Sequence, residues 1–458
     1  MQKHPDISQI NDNPALNAAI AVIRRISESG QEVYLVGGGV RDLLLGRPVA
    51  DFDVATSAHP GLLQELFPQA HMVGAKFGVM LVRYGKHSIE VATFREEGEY
   101  SDKRRPDLVR FSTREKDVTR RDFTVNALYY DPIRNLTIDT VGGLRDLKDG
   151  VIRTVNLPED RFNEDALRIL RCLRFAANLE FDVEERTWEA LVRLAGNLES
   201  ISVERIRDEL VKGFIGGHPH RFLELLDQSG ILSQLLPEMN ALKTCQQPPE
   251  FHPEGDVFTH VGIMLKELKT SPSPELVFAV LLHDIAKPVT QTNEDRIRFN
   301  GHDRVGAVMA QEICNRLRFS GRQIDAISGM VKRHMQFINV PKMRRSTLMR
   351  FLDSPTIEDE LELHRVDCLA SHGNLETYDY ARAALAEMRR VSNDRRILPK
   401  AYLNGRDLIS NGLAPGPDFS RILQDTYDAQ LDGKVTSYDG ALEFALNQVR
   451  NCKKKVSE

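Results

Sequence analysis

Gly37-Gly38-Gly39-Val40-Arg41-Asp42-Leu43-Leu44-Leu45-Gly46, followed at once by Asp51-Phe52-Asp53, is the stretch on which the reading of this 458-residue chain turns. A glycine turn lets backbone N–H groups approach a phosphate closely. Two carboxylates at i and i+2 on a strand point to one side and can share a metal pair. A phosphate cradle beside an acidic metal site suggests phosphoryl or nucleotidyl transfer. Glu32-Val33-Tyr34-Leu35-Val36 reads as a buried strand entering the turn, and Val40 to Leu45 as a short helix with Arg41 on its first turn. A dinucleotide-binding G-x-G-x-x-G would need glycine where this chain has Asp42, which weakens that reading.

Working outward, Asn13 to Ser29 has helical periodicity through Leu16, Ile20, Val22, Ile23 and Ile26. Phe52 to Ala55, Val79 to Arg83 and Ser88 to Phe94 read as short strands. Residues 14–150 therefore read as a mixed α/β head. From Asn163 onward apolar residues recur at three and four, and everything after about residue 155 reads as helical. Breaks at Gly216-Gly217-His218-Pro219 and Gln246-Gln247-Pro248-Pro249, and a late turn at Gly412 to Pro417, punctuate that part. The expected division is a head over 14–150, a helical neck over 151–216, a helical body over 217–395 and a helical tail over 396–458. The fold class is α+β.

Composition is that of an ordinary globular protein, 41% hydrophobic and 28% charged. No window holds ~18 consecutive apolar residues, so no membrane span is expected. The N-terminal residues lack an apolar signal region, and the five cysteines are scattered without a C-x-x-C pair. Both point to a reducing, cytoplasmic setting. The net charge of −5 conceals a local excess of positive charge. Lys332, Arg333, Lys342, Arg344, Arg345 and Arg350 lie in a stretch without an acid, which fits an RNA-facing surface or a solvated helix face equally.

Asp51 and Asp53 need a third acid to complete a two-metal site, and Glu90 is the candidate. It stands mid-strand in Ile89-Glu90-Val91, where a carboxylate without a function would be costly. In Arg120-Arg121-Asp122-Phe123-Thr124-Val125-Asn126-Ala127, Asp122 is placed to cap a following helix, and Arg121 is the candidate phosphate or ribose contact. Glu164 to Phe175 reads as one helix on which Asp165, Arg168 and Arg171 form a ridge. That ridge is either an ion-pair ladder or a set of acceptors and donors for a base edge.

Taken together and in order, these motifs resemble the class II tRNA nucleotidyltransferase and bacterial poly(A) polymerase superfamily. Asp146-Leu147-Lys148-Asp149-Gly150-Val151-Ile152-Arg153 resembles its head-to-neck connector. The resemblance implies a polymerase beta-like nucleotidyltransferase head. It implies Mg²⁺ on Asp51 and Asp53, with Glu90 as the supporting catalytic acid. It implies nucleotide contacts from Gly38, Arg41 and Arg121. Asp165 and Arg168 would select the base, with Arg171 and Arg174 nearby for phosphates. The implied substrates are tRNA, CTP and ATP, joined without a nucleic-acid template. Thr93 to Pro106 reads as a mobile loop beside the site, and its Tyr100-Ser101-Asp102-x-Arg104-Arg105-Pro106 is similar to the tRNA-specific branch. CCA addition is the leading expectation. The alternatives are an enzyme adding only CC or only A, a poly(A) polymerase, and, from another class, a phosphohydrolase whose head only binds RNA.

That last alternative rests on the helical body. His260, His283-Asp284, His302, His334 and Asp367 follow an order that resembles HD-domain phosphohydrolases. Imidazoles with carboxylates suit a second divalent metal. Such a centre would act on phosphate ends, including 2′,3′-cyclic ones.

Overall fold

The computed structural model describes residues 13–49, 51–74, 78–98, 108–250, 252–293, 295–392, 397–412 and 416–456. It divides into two compact units, one of Met1–Pro237 with Arg316–Arg318 and the other of Glu238–Asn315 with Phe319–Glu458.

The first unit opens with α1 (Pro14–Glu28), capped by Asn13, whose side chain accepts from the N–H groups of Ala15 and Leu16. Its buried face, Leu16, Ala19, Val22, Ile23 and Ile26, follows the helical period. Then come β1 (Val33–Val36), α2 (Gly38–Leu44), β2 (Asp53–Thr56), α3 (Pro60–Leu66), β3 (His71–Gly74), β4 (Val79–Tyr84) and β5 (His87–Thr93). After these follow β6 (Arg95–Glu97), β7 (Val109–Phe111), α4 (Arg114–Thr119), β8 (Tyr129–Asp131), β9 (Leu136–Ile138) and α5 (Gly143–Asp149). The main sheet has the order β3-β4-β5-β2-β1-β8-β9. Its β2–β5 pairing is parallel, with Asp53 opposite Glu90. The pairings of β1 with β2 and with β8 are antiparallel. The α/β head expected from the sequence is therefore present, and β1 is buried along its length, as its unbroken apolar run requires.

Three local expectations are corrected. Arg95–Glu97 is a strand, not loop: it pairs with Val109–Phe111. Arg95 and Glu97, two apart on one face, form a 2.8 Å ion pair. The rest of that segment, residues 99–107, lies outside the described residues. Asp122 is followed by a short 3-10 turn, Thr124–Asn126, and is not its cap residue. Glu164 to Phe175 is not one helix. β10 (Val151–Ile152) leads into α6 (Pro158–Glu164), which ends at Asp165 with an extended backbone (φ −144°, ψ 102°). A separate helix, α7 (Leu167–Leu179), follows. Asp165 thus stands in a break, and the i, i+3 ridge through it does not form.

Among the described residues beyond α7 the regular structure is helical apart from two-residue strands, Asp182–Val183 pairing with β10, and Thr292–Asn293 with Ile297–Arg298. In the second unit, Pro274–Leu282 is buried on every side from Leu276 to Leu282, which makes it the central helix of that unit. His283 and Asp284 follow directly at its C-terminal end. Phe337, Val340, Leu348, Leu352, Leu361 and Leu385 belong to one core cluster, and Leu408, Ile422, Ala441 and Ala445 to another nearer the C-terminus.

Candidate active site and metal centre

The glycine turn depends on one residue. Gly37 has φ 74° and ψ −148°, a conformation open only to glycine. It turns β1 into α2 beside the acids: a Cβ built on Gly37 would stand 3.7 Å from Asp53 Oδ2 and 4.0 Å from Arg121 NH1. The turn, the acid and the arginine therefore share one place. Asp51 lies just ahead of β2, two residues before Asp53, not within the strand. Glu90 comes alongside Asp53 through the parallel register. Burial, and then the Glu90 charge, push the Asp53 carboxyl up to about 6, although Arg121 pulls the other way. Glu90 and Asp51 both raise the Asp53 carboxyl, a like-charge repulsion that a bound cation would relieve. Hard oxygen donors brought from just ahead of β2, from β2 and from β5 are the kind a divalent metal such as Mg²⁺ prefers, so these residues fit such an ion in their chemistry.

Arg121 is held in place by a residue the sequence reading missed. Asp117 is buried; its Oδ2 accepts from Arg121 NH2 at 3.0 Å and from Tyr129 OH at 2.5 Å. Its Oδ1 accepts from Arg120 NH2 at 2.7 Å. Arg121 Nε donates to Tyr129 OH at 3.1 Å, which leaves NH1 as the group toward the turn. Nothing in Lys116-Asp117-Val118 marks an acid as buried; only its i+3 and i+4 spacing to Arg120 and Arg121 hints at it.

Arg41 is buried, donates to Asn126 Oδ1 at 2.7 Å and pairs with Asp42 at 2.8 Å. It lies against Gly38, whose added Cβ would sit 3.5 Å from Arg41 NH2. Its guanidinium also stands 5.3 Å from the centre of the Phe175 ring, which Arg171 (5.2 Å) and Arg174 (4.1 Å) approach as well. Phe175 thus gathers three of the expected nucleotide contacts. Each of them has an anionic partner. Arg171 pairs with Asp122 at 2.5 Å, and Arg174 with Glu209 at 2.7 Å. Burial alone would raise the Asp122 carboxyl, but Arg171, with Arg168 and the Phe123 N–H, holds the group down at about 2.

The expected base selectors, Asp165 and Arg168, are each engaged with other partners. Asp165 Oδ1 accepts from Leu167 N–H at 3.1 Å, and Asp165 Oδ2 pairs with Arg205 at 2.8 Å. Arg168 pairs with Glu164 at 2.6 Å and donates to the Arg120 carbonyl at 3.1 Å.

In the second unit the predicted residues do come together. His260, His283 and Asp367 form one group with ligand atoms within 4.8 Å of one another, and Asp284, His302 and His334 form another. His283, His302 and His334 each donate Nδ1–H to a carbonyl three residues back, on Val280, Phe299 and Val331, at 2.9, 2.7 and 2.6 Å. That fixes the tautomer and turns each Nε2 toward the centre. His302 Nε2 then faces His334 Nε2 at 3.2 Å and Asp284 Oδ1 at 3.3 Å. His283 Nε2 and Asp284 Oδ1 are buried without a hydrogen bond. Facing lone pairs and orphaned buried atoms are what a cation would satisfy, so this donor set fits a divalent metal. Burial pushes His334 down to about 4, so its imidazole is neutral and ready to ligate. Burial alone would raise Asp284, but His283 and Lys287 hold it well below the usual carboxylate range. The sequence reading missed Lys287, whose Nζ sits 2.6 Å from Asp284 Oδ2, and the pair His252 and Glu254, which touch His260.

The sheet order and the acids define a nucleotidyltransferase-type head, and the His/Asp set an HD-type body. The chain matches the model of the poly A polymerase head domain over residues 33–153, that of a probable RNA and SrmB-binding site of polymerase A over 180–243, and that of the HD domain over 257–370. The three matches follow one another along the chain, and each covers less than half of it. It is 44% identical over 255 residues to a CCA-adding enzyme of Lactobacillus helveticus, covering 54% of this chain and 63% of that one. It is 46% identical over 199 residues to a CCA-adding enzyme of Streptococcus suis, covering 43% and 49%. The chain thus spans about half to three-fifths of the length of these relatives. The crystal structure of the Bacillus stearothermophilus CCA-adding enzyme in complex with CTP aligns with TM-score 0.73 at 26% identity, covering 96% of this chain and 100% of that one. The Thermotoga maritima CCA-adding enzyme complexed with tRNA aligns with TM-score 0.59 at 22% identity and shares the fold. Among the described residues no helix is long and apolar enough to cross a membrane.

Proposed function

We propose that this chain is a cytoplasmic, template-independent tRNA nucleotidyltransferase that adds CCA to tRNA 3′ ends from CTP and ATP. Its parts would be a head over 14–150, a neck over 151–216, a body over 217–395 and a tail over 396–458. The observation that carries the reading is Asp53 set opposite Glu90 beside the Gly37 turn, with Arg121 facing it. Relatives and solved neighbours named as CCA-adding enzymes, including complexes with CTP and with tRNA, support it.

Asp51 and Asp53, with Glu90, would hold Mg²⁺. When bound, that metal lowers the pKa of the attacking hydroxyl and offsets charge on the phosphates. The tRNA 3′-hydroxyl attacks the α-phosphorus in line and pyrophosphate leaves. Arg121 NH1, fixed by Asp117 and Tyr129, offsets the charge that grows on the leaving oxygens. Gly38 leaves room for the triphosphate to approach the backbone, and Arg41 exchanges Asp42 for phosphate. Arg171 and Arg174, held at Phe175, add positive potential nearby. Asp165 and Arg168 would trade Arg205 and Glu164 for the edge of the incoming base.

The test is incorporation of labelled CTP and ATP on tRNA ending at the discriminator base, at C and at CC, with oligo(A) as a fourth primer. CCA addition gives growth on all three tRNAs and then a stop. Growth that stops at CC, or that starts only after CC, would assign a partial enzyme. Open-ended ATP addition to oligo(A) would assign a poly(A) polymerase. Incorporation that survives Asp51→Ala would refute the metal assignment.

The converging His/Asp groups favour a second activity of the body, hydrolysis of phosphate ends including 2′,3′-cyclic ones. Equal turnover of a cyclic phosphate by the wild type and by His283→Ala would refute it.

A further inference from the structure

His260 differs from the other imidazoles of the cluster. The other three tie Nδ1 to a backbone carbonyl three residues back. His260 sits in the first turn of Val257–Glu267, and its Nδ1 instead meets a carboxylate, Glu254 Oε1, at 2.6 Å. His252 Nδ1 meets the same oxygen at 2.9 Å. The Glu254 side chain is 6% exposed and His260 is fully buried. On its other edge, His260 Nε2 faces Asp367 Oδ1 at 3.2 Å.

Two readings of Glu254 compete: a ligand of its own ion, with His252 and His260, or an orienter of His260. The distances decide. Donor atoms each about 2.0–2.2 Å from one tetrahedral ion stand roughly 3.3 Å apart. The Nε2–Oδ1 separation of His260 and Asp367, 3.2 Å, fits that spacing. The Nδ1–Oε1 separation of His260 and Glu254, 2.6 Å, is too short for it and is that of a charge-assisted hydrogen bond. The loop carrying Glu254 is also prepared for the task. Gln246 and Asp256 pair across its base, His252 N–H donates to the Pro248 carbonyl, and Gly255 N–H donates to the His252 carbonyl.

We propose that Glu254 is a positioning residue of the HD centre: its carboxylate holds the Nδ1–H tautomer of His260, so that Nε2 and Asp367 face one divalent metal, while His252 steadies the same oxygen. This rests on the reading of the body as a metal centre. A carboxylate behind a ligating imidazole makes it a stronger donor than a neutral carbonyl does. His260 is thereby distinguished as the strengthened ligand of the set.

The test is isothermal titration of the metal-free full-length chain with Co²⁺, for wild type, Glu254→Gln, Glu254→Leu, His252→Ala and His260→Ala. The His260→Ala variant identifies the binding event that concerns this site. Glu254→Gln and Glu254→Leu should weaken that event by about 10–100-fold with unchanged stoichiometry, Leu more than Gln, and shift the visible Co²⁺ spectrum. His252→Ala should give a smaller loss in the same direction. Unchanged affinity in both Glu254 variants would overturn the proposal, as would loss of one metal equivalent, which would make Glu254 a ligand. Should the Leu variant fold poorly, the near-isosteric Gln variant, with His252→Ala, carries the decision. A wild type that shows no His260-dependent Co²⁺ event would instead overturn the metal-centre reading itself.

Discussion

Asp53→Asn should make the first unit more stable while it removes nucleotide incorporation. The carboxyl rises from 3.8 to about 6 through burial and the Glu90 charge. A shift of that size corresponds to about 3 kcal/mol when fully ionised, at about 1.36 kcal/mol per unit. Asp53 is exposed as a residue, so solvent screens most of this, and about 1 kcal/mol is the expected gain. The sign follows from the direction of the shift. A carboxyl whose folded value is raised opposes folding once ionised: the penalty is absent below about pH 4, grows up to about pH 6 and is constant above. The Asn variant should therefore gain about 1 kcal/mol at pH 8 and roughly half of that at pH 5. The only tryptophan, Trp188, lies in Glu185–Leu194 of the first unit, so its fluorescence in urea reports on that unit alone. Added Mg²⁺ should stabilise the wild type and narrow the gap. Incorporation of CTP should fall by about a hundredfold or more. An Asn variant less stable than wild type at pH 8, or a gain that grows toward pH 5, would refute the argument that the acids strain the metal-free site.

Gly37→Ala should cost about 1–3 kcal/mol and raise the KM for CTP, because φ 74° with ψ −148° excludes a side chain although its Cβ would meet only ordinary contacts; Trp188 unfolding and initial rates check it. Arg171→Met leaves the Asp122 carboxylate without its partner and should cost about 3 kcal/mol near neutral pH. The Asp122 carboxyl is depressed to about 2, so its contribution is full above about pH 4 and lost as pH falls through 2, and the gap to wild type should close over that window in acid titrations followed by circular dichroism. A divalent transition metal at a hundredfold its Kd should protect the second unit by about 2.7 kcal/mol in amide hydrogen exchange, and Asp284→Asn should abolish that protection without moving the Trp188 transition.

The parts of the molecule that showed in its sequence are those set by local rules. The apolar run into three glycines is β1, the turn and α2. The alternation around Glu90 is β5, and the order of the His and Asp positions is the HD cluster. What did not show depends on partners distant in the chain. Asp117 reads as one more surface acid until Tyr129 and Arg121 enclose it. The break at Asp165 is invisible because Glu164-Asp165-Ala166-Leu167 keeps a helical period; it is fixed by Arg205, forty residues on. Glu254 was within reach: it lies in a Pro- and Gly-bearing loop, His252-Pro253-Glu254-Gly255, just ahead of His260. The resemblance supplied only the principal ligands, so their supporting acid drew no notice.

The parallel ladder between β2 and β5 has a consequence for how this gene tolerates insertion and deletion. Asp53 and Glu90 are register partners, and each strand shows alternate side chains to alternate faces. The segment between the two strands holds the α3 helix and the β3–β4 hairpin. The turn Gly85-Lys86, between β4 and β5, is exposed and lies beyond the paired residues of that ladder, so its length is freer to drift. Loss or gain of one codon within Ser88 to Val91 is another matter. It would slip the register by one, carrying Glu90 to the buried face and Ile89 and Val91 away from it, so the metal pair and the core packing would be lost together. In-frame insertions at Gly85-Lys86 should therefore be far better tolerated than any within Ser88 to Val91.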